Sequence, residues 1–295
     1  MLGNDKFTLY VYDGDYGLPS FNVECTKVLL YIAMVKVSVE IKTLNNIKSC
    51  AFYTGPCFMH KNLSFGSFGD IVPYLNTLNF DLDVQLSPKQ RSEALALSNM
   101  VQAKLRGPVE FAFWVDYRNF EEFTRVWFAK ALPLPFNILL SRQFKKNTVN
   151  LVESMYPNDS CMELVKEYLN SLASECLASL SARLGVSKYF FRDQPSSLDV
   201  VVYSYVAPLV KLPFPSNDLS IVVALWPNLV SFINRIDAKF LPELPKESKY
   251  IKNEAKLKTS DDEVSYVAIS ILTVSAISLL WGFAVSKGFI SSKLF

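Results

Sequence analysis

Hydrophobic and polar positions divide the chain into a first part that mixes strand and helix periods and a longer part with helical periods alone. Residues 7–12 (F-T-L-Y-V-Y) are aromatic and β-branched, the composition of a buried strand. Residues 13–20 (D-G-D-Y-G-L-P-S) are dense in turn formers. Cys25, Val28, Leu29, Ile32 and Val35 then recur at helical spacing. Val37, Val39 and Ile41 alternate with Ser38, Glu40 and Lys42 at a period of two, which predicts a strand. Strand, helix and strand within about 35 residues predict a βαβ unit, with parallel strands and a right-handed crossover. After a loop over 45–56, two short strands at 57–61 and 63–68 meet near Asn62, and a helix covers 70–78. The order is βαβββα-like, the thioredoxin-like arrangement.

From Ser87 onward every period is helical. Ser87 followed by Pro88 is an N-cap with proline at the first helical position. That helix runs toward Leu105, where Gly107 and Pro108 are expected to break it. Further helices are predicted over 121–130 and 136–154. Ser160 with Glu163 forms a capping-box pattern that opens a helix running to Leu184 and stopping at Gly185. Ser196 to Asp199 (S-S-L-D) is a second capping box ahead of 200–206, and helices at 219–225 and 228–240 are separated by Pro227. The expected fold class is α+β: a thioredoxin-like domain over 1–82 and an all-helical domain over 83–241. Residues 242–263 are polar and read as a linker.

The stretch 264–285 (V-S-Y-V-A-I-S-I-L-T-V-S-A-I-S-L-L-W-G-F-A-V) carries no charge. As a helix of about 22 residues it runs about 33 Å, the thickness of a bilayer's hydrocarbon core. Tyr266 and Trp281 stand near its ends, where aromatic rings favour the membrane interface. Residues 264–286, bounded by Val264 and closing just past Val285, are therefore expected to be a transmembrane tail anchor. The alternative is a long core helix, which ordinarily carries a polar stripe. Ser278, Gly282 and Ser286 are spaced by four, a pattern that lets helices approach closely. Residues 1–12 have no signal-peptide pattern. An anchor so late in the chain implies insertion after synthesis, with the body left in the cytosol.

Composition narrows the remaining choices. Of the 295 residues, 50% are hydrophobic, enough for a sizeable core plus the anchor, and the net charge of +2 does not argue for a nucleic-acid partner. Five cysteines (Cys25, Cys50, Cys57, Cys161 and Cys176) form no C-x-x-C, and His60 stands alone, so neither a disulfide framework nor a transition-metal site is suggested. No nucleotide-binding loop and no G-x-S-x-G elbow occurs. Residues 111–136 are rich in aromatics (Phe111, Phe113, Trp114, Tyr117, Phe120, Phe123, Trp127, Phe128 and Phe136), which are expected to be core, with an exposed partner patch as the alternative. Arg118, Arg125 and Lys130 among Asp116, Glu121 and Glu122 read as a solvated face.

The order of the two parts is the layout of glutathione transferases, and several strings resemble the metaxin family more closely. They are 16–20 (Y-G-L-P-S), 113–120 (F-W-V-D-Y-R-N-F), 124–133 (T-R-V-W-F-A-K-A-L-P) and 189–193 (Y-F-F-R-D) ahead of Ser196–Asp199. The resemblance covers about residues 5–240, and the anchor is similar to that of the first metaxin type. It implies a mitochondrial outer-membrane protein with its body facing the cytosol. It implies a subunit of the sorting and assembly machinery that inserts β-barrel proteins, partnered by a second metaxin and by the β-barrel assembly core. Docking of cytosolic transport adaptors is a further implied role, and no cofactor is implied.

The rival class is a membrane-anchored glutathione-dependent transferase. Such an enzyme needs a hydroxyl or thiol near the start of its first helix to hold a thiolate. That position falls near Asn22, Val23 and Glu24, none of which is Ser, Tyr or Cys. Ser20 lies two residues away and is either a candidate donor or a turn residue. Cys25 lies on the apolar face. The acid-serine pair that holds a γ-glutamyl end in the family falls on Ser67 and Phe68. Pro56 sits where the fold usually has a cis-proline. The glutathione site is therefore expected to be lost, with Ser20, Pro56 and Ser67 as its candidate remnants and no catalytic or metal-binding residue assigned.

Overall fold

A computed structural model describes residues 6–45, 55–155 and 161–244. Four strands form one mixed sheet: β1 (Phe7–Val11), β2 (Val39–Thr43), β3 (Cys57–His60) and β4 (Leu63–Phe65). Their order is β2-β1-β3-β4. β1 runs parallel to β2, with Phe7 opposite Val39, and antiparallel to β3, which pairs antiparallel with β4. α1 (Val23–Val35) connects β1 to β2. Asn22 caps it, accepting from Cys25 N at 3.0 Å. Lys36 ends it in the left-handed region with φ of 56°. α2 (Phe68–Thr77) follows β4 and is capped by Ser67.

The rest is helical: α3 (Pro88–Trp114), α4 (Tyr117–Asn119), a π-helical turn (Phe120–Thr124), α5 (Arg125–Ala131), α6 (Phe136–Met155), α7 (Met162–Leu184), α8 (Ser197–Lys211), α9 (Asp218–Ala224) and α10 (Pro227–Phe240). α8 is buried on nearly every side, from Leu198 through Leu209, and packs against α1 on one side and α3 on the other. It is the helix on which the sheet side and the helical side meet. Its all-round apolar composition matches a helix with no solvent face.

Three expectations are corrected. Gly107 and Pro108 do not break α3, which continues to Trp114. Pro108 removes one backbone donor, a cost of about 3 kcal/mol in a helix interior. The turn beyond it buries Val109, Phe111, Phe113 and Trp114, which offsets that cost. Gly107 lies where a Cβ would come within 2.5 Å of Met155 Sδ, so its missing side chain leaves room for the Met155 thioether of α6. The N-cap of α7 is Cys161, which makes no side-chain cap bond; Ser160, the expected cap, is outside the described residues. Asp116 is not part of a solvated face. It accepts from Asn119 N at 3.1 Å and pairs with Lys166 at 3.1 Å. Burial opposes its charge, but those bonds hold its carboxyl below the ordinary range. Arg118 and Arg125 do lie on the surface, paired with Glu122 and Glu121.

The aromatic run is mostly core. Phe111, Phe113, Trp114, Phe120, Trp127 and Phe128 are buried, and Tyr117 is exposed. Phe21 meets Trp127 and Phe128 edge-on at 4.5 and 4.4 Å, and Trp114 stacks on Phe144 at 4.9 Å. Among the described residues no single helix is long and apolar enough to cross a membrane. The stretch 264–286, with Val264, Tyr266, Ser278, Trp281, Gly282 and Val285, lies outside them, as do Cys50 and most of the linker.

Candidate functional site

A cleft of about 290 Å³ opens where the start of α1 faces α3, α6 and α8. Its apolar floor is Phe21, Phe113, Trp114 and Phe144, and its polar rim includes Glu24, Arg106, Glu110 and Tyr205. The charges on the rim are already matched. Glu24 Oε1 lies 2.5 Å from Lys27 Nζ, and Glu24 Oε2 accepts from Phe68 N, the first residue of α2, at 3.4 Å. Lys27 is only 2% exposed and sits 4.8 Å from the centre of the Tyr205 ring, a cation–π contact. Arg106 Nε donates to Glu110 Oε1 at 2.8 Å. Burial first, then Glu24, pushes the Tyr205 phenol well above its ordinary value. A carboxylate of the chain itself thus reaches the α2 N-terminus, where backbone donors favour negative charge.

None of the three candidate remnants lines this cleft. Ser20 is buried, its Oγ accepting from Asn22 N at 3.2 Å and its carbonyl accepting from Thr26 Oγ1 at 2.9 Å. These are the bonds of a residue that shapes the entry to α1. Pro56 is buried ahead of β3, and the cis peptide bond found among the described residues is Leu134–Pro135. The cis-proline of the resembled fold is therefore not reproduced at Pro56. Ser67 Oγ accepts from Asp70 N at 3.2 Å and donates to Asp70 Oδ2 at 2.6 Å, so its hydroxyl is engaged as a helix cap. Cys25 is fully buried, and burial pushes its thiol up to about 12, which keeps it protonated at neutral pH. His60 Nδ1 is 2.6 Å from Tyr74 Oη in the sheet region. Among the described residues no group of three His, Cys, Asp or Glu side chains is placed to hold a metal ion.

The sequence reading did not assign Lys27, Arg106, Glu110 or Tyr205 to a site. The i,i+3 pair Glu24–Lys27 and the i,i+4 pair Arg106–Glu110 are visible as spacings. Their convergence on one cleft requires the packing of α1 against α8. Glu24→Ala is expected to lower stability by about 2–3 kcal/mol, because it strips the buried Lys27 ammonium of its carboxylate. Adding Lys27→Met restores most of that loss, since an apolar stem then replaces the unpaired charge. Denaturant titration of the four proteins in a double-mutant cycle checks this, and a neutral Glu24→Ala removes the pairing argument.

Comparison with known proteins fixes the family. Residues 25–145 match the model of the outer mitochondrial membrane transport complex protein family Tom37, and residues 173–236 match the glutathione S-transferase C-terminal domain. Metaxin-1 of Bos taurus is 30% identical over 289 residues, covering 96% of this chain and 90% of its own length. The Metaxin-1 homolog of Drosophila melanogaster is 32% identical over 231 residues, covering 77% of this chain and 71% of its own. This chain belongs to the metaxin family. It spans 62% of the length of human Metaxin-1, to which it is 28% identical. Metaxin-3 of Danio rerio is 30% identical over 248 residues, covering 83% of this chain and 79% of its own, so the likeness extends beyond the first type.

Solved structures show the fold of this metaxin to be glutathione-transferase-like, α+β. A glutathione S-transferase of Ceriporiopsis subvermispora, solved with glutathione, superposes with a TM-score of 0.54 at 12% identity, over 79% of this chain and 97% of its own. A Pseudomonas fluorescens family member with two glutathiones bound gives 0.52 at 12% identity, over 81% and 91%. At that identity the likeness concerns the backbone alone. The side chains at the metaxin cleft are those described above.

Proposed function

We propose that this metaxin is a non-catalytic subunit of the mitochondrial outer-membrane sorting and assembly machinery, supporting import and insertion of β-barrel proteins. Its partners are a second metaxin and the β-barrel assembly core, and cytosolic transport adaptors dock on the same body. The chain is divided into a thioredoxin-like domain over 1–82, a helical domain over 83–241, a linker over 242–263 and a membrane anchor over 264–286, with the body facing the cytosol. The observation that carries this reading is membership of the metaxin family, together with the outer-membrane transport-complex match over 25–145. The cleft chemistry supports the non-catalytic part. Ser20 points into the α1 entry, Cys25 is held as a thiol, and Glu24 takes the α2 N-terminal position where an incoming carboxylate binds most readily.

The test is the location of the intact protein and of a form ending at Asp262 in cells, with protease added to isolated mitochondria. Mitochondrial location, cleavage by external protease and co-purification with a β-barrel insertion complex are the expected results. Residence on the endoplasmic reticulum overturns the reading. The fold likeness and the open cleft favour one second reading, a membrane-anchored glutathione-dependent transferase. It requires retention on immobilised glutathione and thiol transfer that falls with Ser20→Ala. The expected result is no retention and no Ser20-dependent activity.

A further inference from the structure

From residue 123 to residue 152 the chain contains no Asp or Glu, while Arg125, Lys130, Arg142, Lys145 and Lys146 supply five positive charges, of which Arg125 is paired with Glu121 just outside the run. This stretch folds into α5, a proline-containing turn and α6. The turn and the first turn of α6 expose large apolar side chains: Leu134 is 65% exposed, Ile138 46% and Leu139 53%. Leu140 and Ser141 turn inward, and the outward face of α6 continues through Arg142 and Lys146, both exposed. Lys145 is directed elsewhere, over the Phe120 ring at 4.5 Å. Leu139 and Lys146 are seven residues apart on this face, about 10 Å along the helix. An apolar tip with basic side chains one to two turns behind it matches the depth difference between acyl chains and lipid phosphates.

We infer that the α5–α6 tip docks this protein on an anionic lipid surface, with Leu134, Ile138 and Leu139 entering the interface and Arg142 and Lys146 meeting the headgroup phosphates. A protein partner fits the apolar tip equally well, but an acid-free basic run favours a surface of uniform negative charge. The inference adds a second contact to the membrane location proposed above, and its test is separable from that reading.

The test uses the full chain reconstituted in phosphatidylcholine vesicles with and without phosphatidylglycerol. A photo-crosslinking benzoylphenylalanine replaces Leu139 in one form and, as a control, the fully exposed Val186 at the α7–α8 turn in another. Lipid adducts are expected at 139 well above the control, rising with anionic lipid and falling about tenfold in Arg142→Glu/Lys146→Glu. Adducts at 139 that equal the control, or that ignore both anionic lipid and the charge reversal, overturn the inference. Crosslinks from 139 to a protein in place of lipid on isolated mitochondria overturn it too, in favour of a protein-docking surface. Resistance of the reconstituted chain to carbonate extraction reports the anchor separately. Adducts at 139 without carbonate resistance uphold the tip while the anchor reading fails.

Discussion

Asp199→Ala is expected to cost about 4 kcal/mol of stability, lowering the thermal midpoint by roughly 8–16 °C. Asp199 is fully buried at the start of α8. Its Oδ1 accepts from Phe190 N at 3.0 Å, and its Oδ2 accepts from Ser196 N at 2.8 Å and from Ser196 Oγ at 2.7 Å. Truncation leaves two backbone donors and a hydroxyl without their acceptor where no water reaches, each costing on the order of 1–3 kcal/mol. The damage spreads because α8 is the helix against which α1 and α3 both pack. Asp199→Asn keeps an acceptor but sets an amide donor against Ser196 N, so its cost should fall between those of the wild type and Asp199→Ala. Circular dichroism melts of the three proteins check the order; an unchanged midpoint for Asp199→Ala shows that α8 does not depend on this cap.

The same residue gives stability a pH dependence of definite sign. Burial pushes the Asp199 carboxyl up from 3.8 to about 6, against the lowering effect of its hydrogen bonds. The native protein therefore binds this proton more tightly than the unfolded chain does. The stabilisation from this group is fully present below about pH 4 and is lost as pH rises through about 6, a total of about 3 kcal/mol. The penalty of Asp199→Ala should consequently be larger at pH 5 than at pH 7, by about 1 kcal/mol. Denaturant titrations at the two pH values measure the difference. A penalty that is greater at pH 7 reverses the sign and excludes a raised carboxyl.

This cap is also the point where the sequence was most informative. Ser196 and Asp199 announce the start of α8 by spacing alone, as Ser87 and Pro88 announce α3. The period-two run at Val37–Ile41 lies beside and overlaps β2, which pairs parallel with β1 as the βαβ order requires. The two caps are legible because the hydrogen bonds that use them are local, and the strand because its period of two is written in adjacent residues. Gly107 and Pro108 misled for the opposite reason. Their local meaning is a helix break, and only the burial of Phe111, Phe113 and Trp114 beyond them keeps α3 whole. The cleft was half legible. The absence of Ser, Tyr and Cys at 22–24 could be read directly, whereas the bond from Phe68 N to Glu24 spans elements 44 residues apart in sequence. Ser20 looked available because it is a hydroxyl near the right place; its commitment to Asn22 N and Thr26 emerges only when the loop is folded.

That loop carries the other large expected effect. Gly14→Ala should destabilise the protein by about 3 kcal/mol or more, with much of the chain recovered insoluble on expression. A Cβ at Gly14 would stand 2.1 Å from Leu18 O, 2.5 Å from Pro19 C and 2.6 Å from Pro19 O. All three are backbone atoms, so no side chain can rotate aside to relieve the overlap, and the loop itself must open. Opening it pulls on contacts that tie the sheet side to the helices. Asp15 Oδ2 accepts from Trp127 Nε1 at 3.0 Å, and Gly17 O accepts from Lys211 Nζ at 2.8 Å. Loss of the Trp127 bond should change the indole emission in any fraction that stays soluble. Gly66→Ala is the control, because a Cβ there meets nothing within 4 Å and its cost should be below about 1 kcal/mol. If Gly14→Ala melts with the wild type and keeps its tryptophan emission, the loop is not the rigid joint between β1, α5 and α8 that these contacts describe.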